Sequence, residues 1–164
     1  MHLKRVMGLD VGDARVGVAL SDPLCISAQP HSCIKCKRNE HFKEIVNLAQ
    51  KMDVSVIVVG LPKKLDGSID IQAKKVLDFV KKLKTYLERE TGACSTKEFH
   101  PIHIKLWDER FSTVEAERIL AGNKVKKKAI KEHTDKISAS LIVESYLMAT
   151  NKDLYTPCSE EVDN

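Results

Sequence analysis

Four carboxylates stand where a fold could bring them together: Asp10 at the end of a first apolar run, Asp108 and Glu109 at the end of a later one, and Asp135 ahead of the last apolar stretch. Carboxylates drawn from distant segments repel one another unless a cation neutralises them, and hard oxygen donors with room left for water suit Mg²⁺ or Mn²⁺. Ions held this way can run phosphoryl chemistry: they help generate hydroxide from water, stabilise the leaving oxygen and neutralise charge growing on phosphorus. Each residue also has a plainer reading. Asp10, near Gly12, can be a turn residue, Glu109 can pair with Arg110 or Arg15, and Asp135 can cap a helix N-terminus.

The elements that must position these residues follow from hydrophobic period and turn signals. Residues 3–10, 15–21 and about 27–34 read as three short strands, separated by Gly12-Asp13 and by Asp22-Pro23. Phe42, Ile45, Val46, Ala49 and Met52 recur at helical spacing. Residues 54–60 form a nearly unbroken apolar, β-branched run of the kind found in a strand covered on both faces. Asp66-Gly67-Ser68 then prepares a long helix through Val76, Leu77, Val80, Leu83 and Leu87, stopped by Gly92. Residues 102–107 are the next strand, and Ser112-Thr113-Val114-Glu115 has capping-box spacing for a helix through Leu120. A lysine-rich loop follows, and residues 135–150 form a final helix apolar on most of its circumference. The order β-β-β-α-β-α-β-α-α predicts an α/β fold: a mixed sheet with three antiparallel N-terminal strands, followed by alternating helices and strands.

A chain of 164 residues, 43% apolar and 30% charged, has the size and mix of one domain, expected over residues 1–150 with a loose tail at 151–164. At that length roughly 70% of the unfolded surface can be buried, so neither a disulfide framework nor a structural metal is required. No apolar run approaches the roughly 20 residues that span a bilayer, and the first residues lack a signal-peptide pattern. Five cysteines, an odd number, fit free thiols in a reducing compartment. The expectation is a cytoplasmic protein with no membrane partner. Lysine plus arginine exceed aspartate plus glutamate by 27 to 23, and the excess gathers at residues 72–84 and 124–136, while residues 159–164 are acidic.

Several ordered motifs carry a family resemblance. Met7-Gly8-Leu9-Asp10-Val11-Gly12, with Arg15-Val16-Gly17-Val18-Ala19 and Asp22, resembles the opening of the YqgF family, also called RuvX, whose members are ribonuclease-H-like bacterial proteins. Val58-Val59-Gly60-Leu61-Pro62, Asp66-Gly67-Ser68, Asp108-Glu109-Arg110-Phe111-Ser112-Thr113 with Ala116-Glu117 and Leu120, and Asp135-Lys136-Ile137-Ser138-Ala139 running on to Ser145-Tyr146-Leu147 continue it in order. The resemblance implies a ribonuclease-H-like fold and an acidic triad at Asp10, Glu109 and Asp135 serving as both catalytic residues and metal ligands. It also implies a divalent-metal-dependent nuclease that trims the 5′ end of the 16S ribosomal RNA precursor. The fold further implies kinship to Holliday-junction resolvases. Lys63-Lys64 and Ser138 depart from the family pattern without touching the triad.

Around the triad, Gly8, Gly12 and Gly17 are too widely placed for a dinucleotide fingerprint. Gly12 fits either close backbone approach to a phosphate or a plain β-turn. Arg15 and Arg110 offer forked donors to a phosphate or to neighbouring carboxylates. Lys124, Lys126, Lys127, Lys128 and Lys131 form the densest basic cluster, read as a loop between two helices that contacts a nucleic-acid backbone or as a solvated face. Aromatic residues at 5% make a broad base-stacking platform improbable. Cys33 and Cys36 with His31 and His41 resemble half a zinc site or else are ordinary thiols and histidines, and His133 reads as a loop histidine. The expected partner is RNA, as pre-16S rRNA or a pre-ribosome, acted on by a monomer or weak homodimer. A resolvase cutting DNA junctions and a non-catalytic nucleic-acid-binding module are the alternatives.

Overall fold

Short apolar strands in the first third of the chain, separated by turn residues, build a β-meander. In the computed structural model, β1 (Arg5–Val11), β2 (Arg15–Ser21) and β3 (Ala28–Lys35) pair antiparallel in chain order. Asp10 lies opposite Gly17, and Arg15 opposite Lys35. The structure describes residues 4–62, 69–93, 101–108 and 127–150, with the backbone alone for 91–93 and 127–134. Next comes α1 (Glu40–Lys51), whose Phe42, Ile45, Val46 and Ala49 form its buried stripe. Asp53, at φ 56°, turns the chain through a left-handed residue into β4 (Val54–Leu61). Helix α2 (Ile71–Ala93) then leads to β5 (His103–Asp108).

β4 pairs parallel with β1, and β5 parallel with β4, giving one five-stranded sheet in the order β3-β2-β1-β4-β5. The period of two along each strand divides its side chains between two cores. Met7, Leu9, Val16, Val18, Ile34, Ile57 and Val59 face α1 and α2, meeting Ile45, Val46, Val80 and Leu83. Val6, Ala19 and Val58 face the other way, meeting Ala139, Ile142, Val143 and Tyr146 of the last helix, α3 (Lys127–Thr150). With each fully buried aliphatic side chain stabilising by roughly 1.5–3 kcal/mol, both faces of the sheet are covered by substantial cores.

Among the described residues, strand and helix order match the sequence expectation, with one correction. The last helix starts at Lys127 rather than at Asp135, so Lys127, Lys128, Lys131 and His133 belong to helix backbone and not to a loop. The apolar run that begins at Ile137 marks where the helix is buried; upstream, Lys, Ala, Ile and Glu propagate it with no glycine or proline to stop it. The turn at 66–68, the Lys63-Lys64 pair, the helix through Leu120 and the tail at 151–164 lie outside the described residues. No helix among the described residues is long and apolar enough to cross a membrane.

Candidate functional site

Because β1, β4 and β5 run parallel, their C-terminal ends meet at one edge of the sheet: Leu61 pairs with Asp108, and Val11 stands two residues beyond the Leu9–Val59 pair. β2 begins and β3 ends at this same edge, since both junctions of the meander are antiparallel. In open α/β sheets, such carboxyl ends are where ligands bind. Asp10 is the last residue but one of β1, and the alternation that buries Met7 and Leu9 against α1 and α2 turns Gly8 and Asp10 toward α3.

What brings Asp135 to that edge is a seat of small residues under α3. A Cβ added to Gly17 would collide with the backbone oxygen of Asp135 and come within 3.1 Å of the Asp135 Cβ. A Cβ on Gly8 would collide with Val143 and lie 2.6 Å from the carbonyl oxygen of Ala139. Glycine at both positions therefore lets the helix backbone descend onto the sheet. The two periods stay in step, because two strand residues advance about 6.6–6.8 Å and four helix residues about 6 Å. Asp135 thus sits over Gly17, and Ala139 and Val143 over Gly8. Since Gly17 is the cross-strand partner of Asp10, the two carboxylates come to one place.

The electrostatics reflect that closeness. Burial and, secondarily, the Asp135 charge push the Asp10 carboxyl up to about 6 from its ordinary 3.8. Arg15 places its Nε 3.7 Å from Asp135 Oδ2, with both side chains partly exposed. The guanidinium thus faces the Asp135 carboxylate, whose charge in turn acts on Asp10. A pair of hard oxygen donors that is costly to ionise side by side is the environment a divalent cation relieves, so the residues present fit Mg²⁺ or Mn²⁺.

Of the residues singled out from sequence, Asp10, Arg15 and Asp135 are brought together. Glu109, Arg110, Lys124 and Lys126 lie outside the described residues, and Lys127 and Lys128 fall in the first turn of α3. Gly12 closes the β1–β2 turn, its N–H donating to Arg15 O at 3.0 Å. His31 contacts the Ser32 hydroxyl, whereas His41 is buried against Phe42 and Phe79. Among the described residues no three His, Cys, Asp or Glu side chains gather to hold a metal, Cys33, Cys36, His31 and His41 included. Sequence reasoning missed Gly8 and Gly17 as the seat of α3. The available signal was the small set Gly8, Gly17 and Ala19, which strand pairing groups into one patch.

Comparison with known proteins agrees with this geometry. The profile of the family described as "RuvX: Holliday junction resolvase" matches residues 4–149. A Halothermothrix orenii protein described as "Putative pre-16S rRNA nuclease" is 42% identical over 149 residues, covering 90% of this chain and 97% of that protein. A Clostridium acetobutylicum protein of the same description is 38% identical over 144 residues, covering 87% and 97%. Among solved structures, the yeast mitochondrial Holliday junction resolvase Ydc2 superimposes with a TM-score of 0.52 at 11% identity, covering 94% of this chain and 82% of that one. The structural likeness shows the ribonuclease-H-like fold. With nearly its whole length matched by the family profile and by relatives of the same size, the chain belongs to the RuvX family.

Proposed function

We propose that this protein is a divalent-metal-dependent nuclease of the cytoplasm that hydrolyses RNA phosphodiester bonds in 5′-end processing of pre-16S rRNA. The observation that carries the reading is the meeting of Asp10 and Asp135 at the C-terminal edge of the sheet, where Gly17 seats one beside the other. Asp10, Asp135 and Glu109, the residue that follows β5 directly, would hold Mg²⁺ or Mn²⁺. A bound ion supplies Lewis acidity, easing deprotonation of water and neutralising charge on the phosphoryl group and leaving oxygen. The chain's own residues supply position. Arg15 steadies Asp135, and α3 fixes the Asp135 backbone against β2. Lys124, Lys126, Lys127, Lys128 and Arg110 contact the phosphates flanking the scissile bond, a role that needs charge but no fixed geometry.

The family's printed description favours a second reading, a resolvase acting on four-way DNA junctions. That activity requires two sites held in symmetry, hence a stable dimer. The experiment offers purified protein both an RNA carrying the 16S 5′ precursor and a four-way junction, in the same Mg²⁺ or Mn²⁺ and salt. Cutting of the RNA with the junction intact supports the proposal. Symmetric nicking of the junction with intact RNA supports the second reading.

A further inference from the structure

The catalytic edge does not end at Arg15. Lys35, the last residue of β3, lies directly opposite Arg15, and residues opposed in an antiparallel pair share a face with Cβ atoms about 4.5–5.5 Å apart. Beyond the strand, Cys36 N–H donates to Ala14 O at 2.9 Å, which pins the chain to the β1–β2 turn as it leaves the sheet. Lys37 and Arg38 follow at once, both exposed, and Arg38 adopts a left-handed φ of 36°. Three cations within four residues therefore prolong the line Asp10, Arg15, Lys35 across β1, β2 and β3, a traverse of about 10 Å at ordinary strand spacing. Nearby acids do not neutralise them. Asp13, in the β1–β2 turn to which Cys36 is pinned, is taken by Lys75 at 2.6 Å, and Glu40, two residues beyond Arg38, sits in the first turn of α1. Among the described residues Lys35, Lys37 and Arg38 make no ion pair.

We propose that Lys35, Lys37 and Arg38 form a phosphate-contacting rim that takes the nucleic-acid backbone where it leaves the Asp10–Asp135 site on the β3 side. The occupant is identified by charge and continuity: a polyanion whose scissile phosphate sits at Asp10 must cross Arg15 and Lys35 to exit over β3. The inference rests on the nuclease reading, because that reading places a phosphate at the edge. It adds the direction of the strand and three contacts separate from the lysines of residues 124–128.

The test measures binding of a single-stranded RNA of about 20 nucleotides as a function of salt, in full-length chains carrying Asp10→Asn so that nothing is cut. Replacing Lys35, Lys37 and Arg38 with Gln should flatten the slope of log affinity against log salt by about 2, since each neutralised phosphate contributes about 0.7 on single strands. Affinity should fall about tenfold or more near 0.1 M salt. Lys37→Glu with Arg38→Glu should fall further, and circular dichroism should show all variants folded. A matched triple change at Lys4, Lys51 and Arg89, toward the opposite edge of the sheet, should keep the slope. An unchanged slope in the rim variant, or an equal loss in the matched triple, overturns the rim. If the parent chain shows no salt-dependent RNA binding and the chain with Asp10 intact cuts no RNA, the nuclease reading itself falls.

Discussion

Asp10 is expensive to ionise where it stands. Its folded carboxyl titrates at about 6 against an ordinary 3.8, so between those values the folded chain holds a proton that the unfolded chain releases. The stabilisation is full below pH 3.8 and is lost as pH rises through 6. In metal-free protein at pH 7, Asp10→Asn should therefore stabilise the fold, by at most ~3 kcal/mol for a shift of this size, and raise the melting temperature. Adding Mn²⁺ should stabilise the native chain and leave the variant unmoved. Thermal melts from pH 4 to 8 with and without Mn²⁺ check both halves; a variant less stable than the parent in EDTA contradicts them. His41 has the opposite sign. Burial, the leading cause, lowers its imidazole below 6.5, and Nδ1, beside the rings of Phe42 and Phe79, has no hydrogen-bond partner among the described residues. Its contribution is present above pH 6.5 and lost as pH falls through the lowered value. His41→Phe should remove that acid-side loss, visible as a flatter stability curve between pH 5 and 7 on an Asp10→Asn background. Asp10 was legible in the sequence because it closes the first apolar run, read as a strand. The buried setting of His41 was not, because it depends on α2 crossing over the start of α1.

At the scale of elements, the site depends on how closely α3 approaches β1 and β2. Gly17→Ala has no space for its methyl group against the Asp135 carbonyl, and the helix backbone cannot yield as a flexible side chain would. Overpacking of this kind costs about 1–3 kcal/mol, which should lower the melting temperature by several degrees. It should also reduce RNA cleavage far more than RNA binding, because it shifts Asp135 relative to Asp10. Melting and single-turnover cleavage together check this, and full activity in a folded Gly17→Ala variant would separate Asp135 from the site. The strands and their order were readable from period and turn residues, since those signals are local. Where α3 begins was not readable, because residues 127–134 lack the apolar stripe that betrays a buried helix and carry only helix-permissive residues. The glycine seat was equally hidden: its meaning lies in a helix far along the chain, and only strand pairing shows that Gly8, Gly17 and Ala19 make one patch.

For the whole molecule, the proposed nuclease draws on two sets of cations, Lys35, Lys37 and Arg38 after β3 and the lysines of residues 124–128. The sequence displays both as charge, and it displays Glu109 and Asp135 through a family motif, but charge alone does not separate a solvated face from a phosphate track. Lys126, Lys127 and Lys128 replaced by Gln should weaken RNA binding about equally across sequences and lower the salt slope, because lysine meets phosphate charge and not base edges. A loss confined to particular sequences would contradict that. If Asp10 and Asp135 together make a metal-dependent centre for cutting RNA, cleavage needs both carboxylates and the ion. The most direct measurement is cleavage of an RNA bearing the 16S 5′ precursor by the native chain, Asp10→Asn and Asp135→Asn, each with Mn²⁺ and with EDTA. Cutting by the native chain in Mn²⁺ only, with both variants at least a hundredfold slower yet still folded and RNA-binding, is the predicted result. Cutting that survives either substitution, or that proceeds equally in EDTA, would contradict it.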